Sequence, residues 1–131
     1  MNKITVLPLP SAKVPIAKAT VHNGLVYVSG MVGFRPGTMQ PIAADIRAQA
    51  REVFRVLDEA LREAGSATDQ LLKVQVYLAD VRRDFATMNE EFARWVGGHR
   101  PARTTVEAKL AIEGLLIEVD CIAACHEPTK G

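Results

Sequence analysis

The sequence predicts an α+β domain in which two helices pack on one face of a mixed β-sheet. Three observations carry that expectation. Short apolar stretches separated by turn residues recur along the chain, two segments switch to apolar spacings of three and four, and the last apolar run alternates on both of its faces. The length of 131 residues suits one domain spanning 1–131, and 48% apolar residues are enough for a packed core. No internal repeat or low-complexity tract divides the chain.

Thr5 to Leu7 supplies a candidate edge strand. His22-Asn23-Gly24 then lies between Ile16–Val21 and Leu25–Val28, and Asn-Gly favours the positive φ angles of a type I′ turn, so a β-hairpin is expected. From Ile42 to Ala64, the residues Ile46, Ala50, Val53, Leu57, Ala60, Leu61 and Ala64 form one helical stripe, with Pro41 suited to the first turn and Gly65 to the C-cap. Leu71 to Ala79 reads as a strand with Val74, Val76 and Leu78 on one face. Asp84 is the expected cap of a second helix, whose inner stripe is Phe85, Met88, Phe92 and Trp95 or Val96 and which ends at Gly97-Gly98. Pro101 favours an extended chain, and strands follow at Arg103–Glu107 and Leu115–Ala124. The order is ββ(β)αβαββ. Two helices cover one sheet face, yet Leu116 and Ile122 lie opposite Ile117, Val119 and Cys121, so another subunit is expected over part of the second face.

Composition removes several classes of function. Sixteen basic residues balance fifteen acidic ones, and aromatics make up only 5%, which argues against a nucleic-acid partner. No apolar run approaches the roughly 18 residues of a membrane helix, so no membrane partner is expected. Met1 to Pro10 does not read as a signal peptide, and the expected location is cytoplasmic. Cys121, Cys125 and His126 resemble a ligand cluster, but residues four apart on a strand stand about 13 Å apart, too far for one zinc; no metal is expected. Ser29-Gly30 lacks the glycine of a nucleophile elbow, because Tyr27 stands there. Gly30, Gly33 and Gly37 do not form a phosphate loop. Arg47, Arg51 and Arg55 read as a solvated helix face, with Asp58–Arg62 and Arg55–Glu59 as interleaved pairs.

The informative constellation is Pro101-Ala102-Arg103-Thr104-Thr105-Val106-Glu107, followed by Leu116-Ile117-Glu118-Val119-Asp120. Arg103 follows a rigid turn, where a guanidinium can grip a carboxylate through two parallel hydrogen bonds. Glu118 interrupts an apolar strand, where an unpaired carboxylate is costly. Two readings stand side by side: a structural ion pair of Arg103 with Glu118 or Asp120, or a ligand site.

From Val14 to Ala124 the chain resembles the reactive intermediate deaminase family, also called Rid or YjgF. The resemblance runs through Leu25–Gly30, Gln49, Ala64-Gly65, Val74–Asp80, Phe85–Asn89, Pro101-Ala102-Arg103 and Ile117-Glu118-Val119, in that order. It implies a chorismate-mutase-like α+β domain assembled as a homotrimer, with ligand clefts between subunits. It also implies hydrolysis of 2-imino and enamine acids, of the 2-aminoacrylate and 2-iminobutyrate type, to 2-keto acids and ammonia, with no cofactor. On the same resemblance Arg103 binds the substrate carboxylate and Glu118 positions and activates water, while Ser29, Gly30 and Asn89 line the cleft. Ile16 stands where many members carry tyrosine, and Thr105 where many carry cysteine. These departures keep open a non-catalytic trimer that binds small carboxylates or another protein; ribonuclease activity is the weaker alternative.

Overall fold

A computed structural model describes residues 3–10 and 12–126. The described strands form one six-stranded sheet with the order β1-β2-β3-β6-β4-β5, comprising β1 (Thr5–Leu7), β2 (Ala19–His22), β3 (Leu25–Val32), β4 (Leu71–Leu78), β5 (Ala102–Glu107) and β6 (Ile117–Ala124). All neighbours are antiparallel except β4 and β5, which run parallel and are joined across helix α2 (Val81–Val96). Helix α1 (Ile46–Glu63) connects β3 to β4 through a 3-10 turn at Thr68–Gln70. The α+β class with two helices on a mixed sheet is therefore observed.

The hairpin turns where Asn-Gly demands it, with φ of 51° at Asn23 and 76° at Gly24. Its first strand is shorter than expected, because Ile16 lies before β2, and its second continues to Val32. Pro41 does not open α1; it bridges to Phe34, and Asp45 caps the helix by accepting from the Ala48 N–H at 2.9 Å. Asp84 does not cap α2 either. Asp80 does so, accepting from the Arg83 N–H at 3.1 Å, while Asp84 is buried and held by Arg83. The last strand begins at Ile117 rather than Leu115.

Ala50, Val53, Leu57, Ala60 and Leu61 of α1 pack on the sheet side chains Val26, Val28, Val74, Val76, Leu78, Ile117, Val119, Cys121 and Ala123. Phe54 of α1 stacks on Trp95 of α2 at 4.7 Å between ring centroids, with Phe92 edge-on to both. Beside these rings Arg47 and Arg51 both reach the buried Glu91 carboxylate, and Arg47 also reaches Glu90. The arginine row is thus part of the seam between helices rather than a purely solvated face. The Asp58–Arg62 and Arg55–Glu59 pairs form as expected. Alternation sends Tyr27, Gln75, Tyr77, Val106, Glu118, Asp120 and Ile122 to the face away from the helices, which no described element covers; Tyr27 and Val106 are exposed there.

Candidate active site

Arg103 reaches its place through the turn after α2 and the parallel register of β5 on β4. Arg103 is level with Val74 and Thr105 with Val76, so both point to the helix side at the sheet edge. There the Arg103 guanidinium lies 4.7 Å from the Phe92 ring centroid and 5.8 Å from that of Phe85, and Nη1 donates to Met88 Sδ at 3.7 Å. Among the described residues no carboxylate comes within ion-pair distance of it. Burial pushes its pKa below the usual arginine value. Asn89 sits on the same stripe of α2 as Phe85 and Phe92, at spacings of four and three. Its Oδ1 is buried without a hydrogen-bond partner, and so is Thr105 Oγ1. Buried polar atoms are rarely left orphaned, so two unsatisfied groups on the elements that flank the Arg103 guanidinium mark this edge as a candidate polar site.

Glu118 stands in a different setting. It is level with Tyr77 on β4 and Val32 on β3, and its carboxylate lies over Gly30. A Cβ at Gly30 would come within 2.4 Å of Glu118 Oε2, so the absent side chain is what makes room for the acid. Ser29 Oγ donates to the Ala17 carbonyl at 2.6 Å, which fastens β3 to the segment bearing the exposed Ile16. Burial raises the Glu118 pKa, and the negative charge of Asp120 raises it further. Asp120 is also raised by burial, against the lowering effect of a hydrogen bond from Tyr77.

The expected residues therefore fall into two groups. Arg103, Thr105 and Asn89 meet on the helix side, while Glu118, Gly30, Ser29 and Ile16 gather about β3 and the opposite face. Arg103 and the acids Glu118 and Asp120 project from opposite faces of the sheet, which removes the ion-pair reading within one chain. A groove of about 360 Å³ beside Trp95 and Arg94, and one of about 730 Å³ beside Ala108–Leu115, contain neither Arg103 nor Glu118. Sequence reasoning missed the aromatic bed under Arg103 and the Tyr77–Asp120 neighbours of Glu118. Only the apolar stripe of α2 hinted at the first, and cross-strand register alone reveals the second.

The model of the family described as Endoribonuclease L-PSP matches residues 8–125. Protein mmf2, mitochondrial, of Schizosaccharomyces pombe is 38% identical over 131 residues, covering 95% of this chain and 99% of that protein. The 2-iminobutanoate/2-iminopropanoate deaminase of Mus musculus is 30% identical over 120 residues, covering 92% and 88%. The crystal structure of YyfA from Yersinia pestis, of the conserved Rid protein family, superposes with a TM-score of 0.85 at 30% identity, covering 93% and 99%. The cytoplasmic expectation is overturned. Besides mmf2, the relatives mmf1 of S. pombe and MMF1 of Saccharomyces cerevisiae are named mitochondrial, so the character of the first ten residues does not assign a compartment.

Proposed function

The chain belongs to the Endoribonuclease L-PSP family, the YjgF/Rid family, and on that footing we propose that it hydrolyses 2-imino acids to 2-keto acids and ammonia. Relatives in mouse and Arabidopsis thaliana are named 2-iminobutanoate/2-iminopropanoate deaminase and Reactive Intermediate Deaminase A. The observation that carries the reading is an unpaired, half-buried Arg103 beside two orphaned polar atoms, with Glu118 on the other sheet face. In a 2-imino acid the carboxylate and the electrophilic carbon are adjacent atoms. One small substrate touches both Arg103 and Glu118 only if these come from different copies of the chain. A cyclic homotrimer, seating the β5 edge of each copy against the uncovered sheet face of the next, supplies such a cleft three times over.

In this reading Arg103 takes the carboxylate with two parallel hydrogen bonds, and the Asn89 carbonyl accepts from the iminium N–H. The Glu118 carboxylate of the neighbouring copy takes a proton from water as the water oxygen bonds to C2 and the C=N π pair moves to nitrogen. Glu118 then returns that proton to the amine nitrogen. The C–N bond breaks as the C2 hydroxyl gives up its proton to the Glu118 carboxylate, which then releases it to solvent, leaving the 2-keto acid and ammonia. An enamine such as 2-aminoacrylate enters by taking a proton at C3, which gives the iminium directly. No strong nucleophile is required, because the iminium carbon is already electrophilic.

The test generates 2-iminobutanoate in situ from the amino acid with an amino-acid oxidase and follows the imine trapped by semicarbazide. Pure protein is expected to accelerate its disappearance, and Arg103→Ala to abolish the effect. An unchanged trapping yield with the wild-type chain overturns the proposal. Light scattering is expected to give about three times the 14.3 kDa chain mass. The orphaned Thr105 hydroxyl favours a second reading, a cleft that binds carboxylates without turnover. Calorimetric binding of 2-ketobutyrate with no imine loss selects that one.

A further inference from the structure

We infer that Gln49 is a positioning residue that sets the place of the Glu118 carboxylate, an inference that rests on the hydrolytic role proposed for Glu118. Gln49 lies in the first turns of α1 and is completely buried, unusual for a glutamine on an otherwise apolar stripe. Its side chain is fully engaged. Nε2 donates to the Ala43 carbonyl at 2.8 Å and to the Gly114 carbonyl at 2.9 Å, while Oε1 accepts from the Leu116 N–H at 2.8 Å. Both amide protons are used, and the three partners belong to two segments far apart in the chain.

The partners define what the clamp controls. Gly114 and Leu116 form the last bend before β6, and Leu116 is two residues from Glu118. On the other side, the Gln49 backbone packs against Gly33, where a Cβ would come within 2.7 Å of Gln49 O. Gly33 directly follows β3, the strand whose Gly30 lies beneath the Glu118 carboxylate. One residue therefore contacts the lead-in to β6 through its side chain and the end of β3 through its backbone; β6 bears Glu118, and β3 carries the Gly30 over which its carboxylate lies. Arg103, on β5 beneath α2, touches neither partner, so the clamp bears on the water-activating half of the site and not on the carboxylate anchor.

The experiment compares the wild-type chain with Gln49→Met, which matches the side-chain volume but makes none of the three hydrogen bonds. The expected result is a fall in kcat for imine hydrolysis of about tenfold or more with KM within about twofold, because misplacement of a catalytic group by a fraction of an ångström falls on the chemical step. Calorimetric affinity for 2-ketobutyrate, which reads Arg103, is expected to stay within about the same twofold margin. A second readout needs no turnover. The Glu118 carboxyl, followed by carbon NMR alongside its neighbours Asp120 and Tyr77, is expected to titrate closer to an ordinary glutamate in the variant. If the wild-type chain hydrolyses no imine, the deaminase reading falls while this titration still decides the role of Gln49. Equal losses in kcat and ligand affinity, or an unmoved Glu118 titration, overturn the proposal. Should Gln49→Met fail to fold, Gln49→Asn is expected to give the same split at smaller size; failure of both to fold makes Gln49 a folding residue and also overturns it.

Discussion

Replacing Arg103 by methionine separates ligand binding from stability, and the structure gives a size for each. Methionine keeps the unbranched stem that packs toward Phe92 and Met88 but removes the guanidinium. A charge-assisted hydrogen bond contributes about 1.5–3 kcal/mol. Losing even one of the two hydrogen bonds of the carboxylate grip therefore weakens 2-ketobutyrate binding by roughly 10- to 150-fold, and losing both by more, at 1.4 kcal/mol for each factor of ten. Stability moves by two opposing terms. The contact with the Phe92 and Phe85 rings is lost, about 0.5–2 kcal/mol, while the cost of holding an unpaired cation away from water is relieved. The net change is expected within about 1 kcal/mol, a melting shift of no more than about 4 °C for a chain of this size. Arg103→Lys, which keeps the charge without the planar fork, is expected to fall between methionine and wild type in affinity. The assay pairs calorimetric titration with thermal unfolding. A large fall in melting temperature with ligand affinity kept within about twofold would show that Arg103 serves the fold, and the proposed anchor would be refuted.

Imine hydrolysis is expected to lose activity on the acid side as Glu118 protonates, and that limb should lie above the ordinary carboxylate range because burial and Asp120 both raise the acid. Asp120→Asn removes the neighbouring charge, so the limb in a pH–rate profile should move to lower pH. Gly30→Ala places a methyl 2.4 Å from Glu118 Oε2, and the flexible carboxylate end must yield; kcat should fall while the melting temperature changes little. Burial opposes ionisation of Glu91, but hydrogen bonds from Arg51 and Arg47 outweigh it and hold its pKa below 4.5. A depressed folded-state pKa means stability that is present above the ordinary value and is lost as pH falls through the lower one. Urea midpoints should therefore drop in that acid window, and Glu91→Gln should flatten the drop.

The parts of the fold written in local chemistry were legible. Asn23-Gly24 specifies the hairpin, and the stripe from Ala50 to Leu61 specifies the face of α1 that meets the sheet. Caps were less legible because two chemically equal candidates compete. Asp80 and Asp84 both offer a carboxylate, and the end of β4 decides for Asp80. Glu118 alternating with Ile117 and Val119 showed that it leaves the apolar face. Nothing local showed that β6 inserts between β3 and β4, or that β5 runs parallel to β4, and those two facts put Arg103 on the other side of the sheet. Gln49 entered the sequence reading only through the family resemblance, and its partners at Ala43, Gly114 and Leu116 come from tertiary folding.

The opposed orientation of Arg103 and Glu118 changes what a damaged gene product means. In the proposed ring, each cleft draws its anchor from one copy and its water-activating acid from the next. A chain lacking Arg103 and a chain lacking Glu118 are then each inert alone, yet random mixed rings restore about a quarter of the clefts, because an intact arginine meets an intact glutamate at that frequency. Conversely, one defective copy among normal ones silences a cleft that its neighbour helps to build. Such alleles complement one another in pairs, whereas either one mixed with the wild type leaves as many working clefts as there are intact copies, so neither interferes with it.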